Sequence, residues 1–111
     1  MSHTGMNQPP RLTQDEARQK LEEYRVLIDD VDQRIVALLN ERTGVVRNIG
    51  RVKREAQLPI YEPKREEQVF ANITDANRGP LTEAALRRIF ERVIDEMRTI
   101  QRLQMASDGD K

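Results

Sequence analysis

Residues 13–55 read TQDEARQKLEEYRVLIDDVDQRIVALLNERTGVVRNIGRVKRE, with no proline to interrupt them. Leu21, Ile28, Ile35 and Ile49 recur at sevenfold spacing, and Tyr24, Val31, Leu38, Val45 and Val52 form a second such series, offset by three. Two interleaved series of this kind are the a and d positions of a helix that packs lengthwise on another helix. Thr13-Gln14-Asp15-Glu16 fits a capping box, with Thr13 as N-cap and Glu16 reaching back, so the helix starts there. Pro59 closes it.

Downstream, Glu62-Pro63 restarts a helix, since proline suits the first helical turn. This short second helix runs over residues 63–76, with Val69, Phe70 and Ile73 on its buried face. Asn77-Arg78-Gly79-Pro80 is a turn. Thr82 caps a third helix that is expected to end near Gln104. Its apolar stripe is Leu86, Ile89, Phe90, Val93, Ile94, Met97 and Ile100. No repeat and no strand pattern is present. The expected fold is all-α, with a long, a short and a medium helix. A single domain over 13–104 is expected, flanked by disordered tails at 1–12 and 105–111.

Length then bears on assembly. A first helix of about 43 residues would reach roughly 65 Å, whereas a compact chain of this size has a radius of gyration near ~13 Å. Two shorter helices cannot cover such a rod. Packing two long helices against each other solves the geometry, so an intertwined helical homodimer is expected. The alternative is a kink at Gly44 or Gly50.

Composition narrows the chemistry. The 111 residues are 34% charged and 37% hydrophobic, a supply that gives a lone chain only a thin core. Nineteen Lys plus Arg balance nineteen Asp plus Glu, so no net field attracts nucleic acid or membrane. There is no cysteine, which removes thiolate nucleophiles, thiolate metal sites and disulfides. The one histidine, His3, lies in the expected N-terminal tail, which argues against a histidine-ligated metal or histidine base. No cofactor is expected. The N-terminus MSHTGMNQPP does not read as a signal peptide and no stretch is apolar enough to span a bilayer, so a cytoplasmic location is expected.

Several polar residues stand where the pattern asks for apolar ones. Arg42 takes the fourth place in the series Leu21, Ile28, Ile35, Arg42, Ile49. An arginine in an apolar seam carries a desolvation cost unless an anion meets it. Arg42 reads either as a structural ion pair or register-setting polar residue, or as a residue that binds a ligand. Lys53 follows by eleven residues, back on nearly the same face and about 16 Å along the axis. It reads either as a second cation for the same anion or as a solvated lysine near a helix end. Arg25 lies about 25 Å from Arg42 along the axis, so the two of one chain cannot grip one small molecule. Arg25 of a second subunit could arrive there; otherwise it is a flanking, solvated arginine. Glu62, Arg65 and Glu66 continue the face of Val69, Phe70 and Ile73, as an exposed charge cluster or as part of a site. Gln101 ends the stripe of the third helix, either fraying into water or offering its amide to a buried guest.

Together these positions resemble the small all-helical chorismate mutases over roughly residues 20–104. The carriers are Arg25, the run LLNERTGVVRNIGRVK with Arg42 and Lys53, the run PIYEPKREEQV with Glu62, Arg65 and Glu66, and Gln101. The resemblance implies an intertwined dimer with two equivalent sites, each completed by Arg25 of the other subunit. It implies that Arg25 and Arg42 hold the two carboxylates of chorismate. Glu62 and Glu66 would address the ring hydroxyl with Arg65 in support, and Lys53 and Gln101 would hydrogen-bond the ether oxygen. The run IYEPKREEQV is most similar to mutase domains fused to or associated with DAHP synthase, the enzyme that opens the shikimate pathway, which makes that enzyme an expected partner. Two departures stand out. Met97 occupies a place where many members carry a small hydroxyl residue, and Glu62 replaces a more usual aspartate.

The implied reaction, chorismate to prephenate, serves aromatic amino acid biosynthesis and is a unimolecular rearrangement. It needs no nucleophile and no net proton transfer, which suits this residue set. A pyruvate-releasing lyase acting on isochorismate would use similar cations on the same scaffold. A non-catalytic helical dimerisation or regulatory module would explain the heptads but not Arg42.

Overall fold

The computed structural model describes residue 8 and residues 11–109, and three helices make up the fold: α1 (Gln14–Glu55), α2 (Pro63–Ala76) and α3 (Glu83–Gly109). The all-α expectation and the order long, short, medium hold. Most of the expected N-terminal tail, His3 included, and residues 110–111 lie outside the described residues. Among the described residues no helix is long and apolar enough to cross a membrane, and no group of three or more His, Cys, Asp or Glu is placed to hold a metal ion.

The chain divides into two compact units, Met1–Leu39 and Asn40–Lys111. In the first, the capping box forms as expected. The Thr13 backbone N–H donates to Glu16 Oε1 at 3.1 Å, and the Glu16 N–H donates to Thr13 Oγ1 at 3.1 Å. Thr13 holds the Glu16 carboxyl below the usual carboxylate range, its backbone N–H foremost and its hydroxyl second. Arg18–Asp15 and Arg34–Asp30 ion pairs lie on the solvated face, where such pairs contribute little. The apolar series of this unit, Leu21 through Leu38, is exposed, from 38% at Val31 to 65% at Tyr24. Single exposed apolar side chains are ordinary; a periodic row of them on one helix face is a surface built to be covered.

The second unit holds the end of α1 with α2 and α3. Its buried apolar residues are Val46 from α1 and Ile94 and Met97 from α3. Helical structure runs through Gly44 and Gly50 without a break. Gly50 is buried because the Gln104 side chain crosses it: a Cβ there would lie 2.8 Å from Gln104 Oε1. The Gln104 amide donates to the Arg47 carbonyl at 3.1 Å.

α1 ends on a turn that the sequence does not announce. Leu58 N–H reaches the Lys53 carbonyl at 2.7 Å, Gln57 N–H reaches the Arg54 carbonyl at 3.2 Å, and Gln57 sits at φ 58°. This is a Schellman motif with glutamine in the left-handed position that glycine usually fills. It reverses the chain before Pro59, as expected. At the far end of α2, Asn77 Oδ1 accepts from the Gly79 N–H at 2.9 Å and its Nδ2 donates to the Leu81 carbonyl at 2.8 Å, building the expected turn. Thr82 Oγ1 then accepts from the Ala85 N–H at 3.2 Å and caps α3.

Two expectations need correction. α3 continues past Gln104 to Gly109, because Met105, Ala106 and Ser107 are tolerated in a helix and glycine is the first strong stop. Ile89 is 50% exposed rather than part of the buried stripe. It stands one residue, about 100°, from Phe90, which takes the inward position.

Candidate active site

A cleft of about 430 Å³ opens between the three helices of the second unit. α1 contributes Arg42, Val45, Val46, Ile49 and Lys53 to its lining. Ile60, Glu62, Arg65, Glu66 and Val69 come from the connection and α2, and Ile94, Met97, Arg98 and Gln101 from α3. The structure thus brings together six of the seven site residues expected from sequence. The seventh, Arg25, belongs to the first unit. Its guanidinium is two-thirds exposed and lies 3.8 Å from Glu22.

The Schellman turn explains how Lys53 is set. Its backbone carbonyl anchors the turn, and the returning chain brings Ile60 and Glu62 over its side chain. Lys53 Nζ donates to the Ile60 carbonyl at 2.8 Å and pairs with Glu62 Oε1 at 2.8 Å. The ammonium is largely buried, with 11% of the side chain exposed. Two of its three N–H donors are thereby used and one remains. Glu62 is the N-cap of α2 yet makes no side-chain cap, because its carboxylate is taken by Lys53.

Gln101 is 6% exposed and donates from Nε2 to the Val46 carbonyl at 3.3 Å. A primary amide has two N–H donors, so one is left for a guest. Beside it, the Thr43 hydroxyl donates to Met97 Sδ at 3.7 Å. Met97 therefore fills its place as a buried wall of the cleft rather than as a polar contact.

Arg42 is half-buried. Burial first, and the Arg65 guanidinium second, push it below its ordinary basicity. An anion in the cleft would offset both costs. The lining carries four cations, Arg42, Lys53, Arg65 and Arg98, against the two carboxylates Glu62 and Glu66. The excess of positive charge suits a doubly negative guest. The apolar walls suit a hydrocarbon ring.

Arg98 and Tyr61 were not expected from sequence. Arg98 Nε lies 3.2 Å from Glu66 Oε2, and its guanidinium stands over the Tyr61 ring at 5.4 Å. The signal was present, since Arg98 follows Ile94 by four and precedes Gln101 by three, on the face of the apolar stripe.

Residues 24–102 match the family described as chorismate mutase type II. A bifunctional chorismate mutase/prephenate dehydratase of Aquifex aeolicus (strain VF5) is 34% identical over 98 residues, covering 84% of this chain and 27% of that protein. The chain therefore spans about a quarter of the length of that relative. A chorismate mutase of Methanocaldococcus jannaschii is 26% identical over 94 residues, covering 84% of this chain and 95% of that protein. Among solved structures, form II of the chorismate mutase from Thermus thermophilus has a TM-score of 0.73 at 34% identity, over 75% of this chain and 94% of that one. The expected likeness to mutases joined to DAHP synthase is corrected: the bifunctional relative carries a prephenate dehydratase instead. The run IYEPKREEQV could not distinguish the two, because it builds the wall of the cleft and the start of α2. The match covers most of the chain and all six clustered site residues, and the chain belongs to the type II chorismate mutase family.

Proposed function

We propose that this chain is an isomerase that rearranges chorismate to prephenate, acting as an intertwined homodimer. The observation that carries the reading is the cleft in which Arg42, Lys53 and Gln101 share one apolar-walled space with surplus positive charge. Arg42 and Arg25 of the second subunit hold the two carboxylates, fixing the enolpyruvyl group over the ring. Glu62 and Glu66 accept from the ring hydroxyl, with Arg65 in support. As the C–O bond breaks, negative charge grows on the ether oxygen. The remaining donors of Lys53 and Gln101 stabilise that charge more than they stabilise the ground state. A rate gain of about 10⁶ needs only about 8 kcal/mol, within reach of orientation plus two preorganised donors.

The exposed periodic row on α1 supports the dimer, since a second copy is the partner whose pattern matches it. A cytoplasmic role in aromatic amino acid biosynthesis belongs to the same reading. The test is the loss of chorismate absorbance on adding purified protein, run beside isochorismate. Prephenate formation is expected. Pyruvate release from isochorismate without prephenate formation would assign the lyase instead, and inertness toward both would leave a binding module.

A further inference from the structure

We propose that Arg98 is a positioning residue, holding the Glu66 carboxylate where it accepts from the ring hydroxyl of the substrate. The inference rests on the chorismate reading above. Glu66 is only 23% exposed on its side chain, so its charge needs a partner close by. The other cations of the cleft are otherwise disposed. Lys53 is bound to Glu62 and the Ile60 carbonyl, and Arg65, whose support of the carboxylates is through its charge in the cleft, gives its hydrogen bond to Gln68 Oε1 at 3.3 Å. Arg42 meets Arg65 as a like charge. Arg98 is the cation that reaches Glu66, from a different helix, at 3.2 Å.

The contact has the form of a positioner rather than a finished structural pair. Arg98 Nε is fully buried and near the carboxylate, yet not aligned as a hydrogen bond. Active-site contacts of this kind commonly tighten when the ligand arrives. The Tyr61 ring below the guanidinium limits where it can go, so α3 and the connection before α2 together set the approach to Glu66. A hydroxyl that donates to the outer oxygen of Glu66 would complete the carboxylate's shell.

Calorimetry with two bicyclic dicarboxylate inhibitors, identical except for the ring hydroxyl, separates this role from others. Arg98→Ala is expected to weaken the hydroxyl-bearing inhibitor about tenfold, the size of one lost charge-assisted hydrogen bond, and to leave the deoxy inhibitor within about twofold. Arg98→Lys should recover part of the loss. Arg98→Ala added to Glu66→Gln should cost little beyond Glu66→Gln alone. If Arg98→Ala does not fold by circular dichroism, Arg98→Met keeps the stem and allows the same comparison. Equal loss for both inhibitors would make Arg98 a structural pin or a direct carboxylate ligand and overturn the proposal, as would no loss for either. A wild-type protein that binds neither inhibitor would sink the chorismate reading, and this one with it.

Discussion

Lys53 and Glu62 face each other at 2.8 Å across the turn that ends α1, with the Ile60 carbonyl as a second acceptor for the same ammonium. The pair couples the helix end to the site. Lys53→Ala should abolish most turnover, at least about a hundredfold, because a donor aimed at developing negative charge is lost. Glu62→Ala should cost about 1 kcal/mol of stability, since Glu62 is half exposed and water partly replaces it. Urea denaturation and steady-state kinetics on the two variants check this. A Lys53→Ala enzyme with normal kcat would displace lysine from the mechanism.

Arg42 should trade stability for binding. Its pKa is lowered in the folded chain by burial and by Arg65. A cation so shifted opposes folding wherever it is charged, and the penalty lifts only as pH rises through the lowered pKa. Arginine stays charged at ordinary pH, so the penalty is constant there. Arg42→Ala is expected to melt at or above the wild-type temperature while losing turnover by at least about a hundredfold. A dicarboxylate inhibitor should raise the melting temperature of the wild type and not of the variant. A variant that melts well below wild type would show that Arg42 has a structural partner.

Gln101 sets the pH behaviour expected of the proposed chemistry. Its amide is buried and donates to the Val46 carbonyl, and an amide donates without titrating. Gln101→Glu places a carboxyl in the same buried position, where only the protonated form can donate. The variant should be active mainly at acidic pH and fall away toward neutrality, while the wild-type rate should not depend on protonation at this position. Matching pH–rate profiles for the two proteins would remove Gln101 from the proposed chemistry.

How much of this was legible in sequence follows from where each signal resides. The start of α1 and both ends of α2 are written in local chemistry: Thr13 with Glu16, Pro63, and the Asn77–Pro80 turn. Arg42 was legible because a charge breaking a periodic apolar series needs a reason. The left-handed residue at the end of α1 was not, because Gln57 carries no glycine-like signature. The Lys53–Glu62 pairing depends on that turn and was hidden with it. Arg98 has a legible place on the apolar stripe, but α3 also carries Arg87, Arg88, Arg92 and Arg102, and it takes the fold to show that Arg98 is the one set against Glu66.

Gln57 gives a direct stability test. A non-glycine residue at φ 58° carries a steric cost of roughly 1–2 kcal/mol that glycine avoids. Glycine gives part of this back through greater unfolded-state freedom. Gln57→Gly should therefore stabilise the chain by about 0.5–1 kcal/mol in urea melts, with kcat unchanged, because the turn that seats Lys53 is retained. A loss of stability would mean that the Gln57 side chain makes a contact worth more than the backbone strain.

The proposed sharing of each site between subunits makes a prediction that neither subunit can satisfy alone. If each site takes Lys53 from one copy and Arg25 from the other, Arg25→Ala and Lys53→Ala homodimers are each defective at both sites. A heterodimer concentrates both defects in one site and leaves the other intact. Random exchange of equal amounts makes half the dimers mixed, each with one working site, so activity should return to about a quarter of wild type. Separately tagged chains, unfolded together, refolded and purified through both tags, give heterodimers at about half the wild-type rate by the same count. If such verified heterodimers stay inactive, Arg25 acts in its own subunit or not at all, and the cations of one cleft must hold both carboxylates unaided.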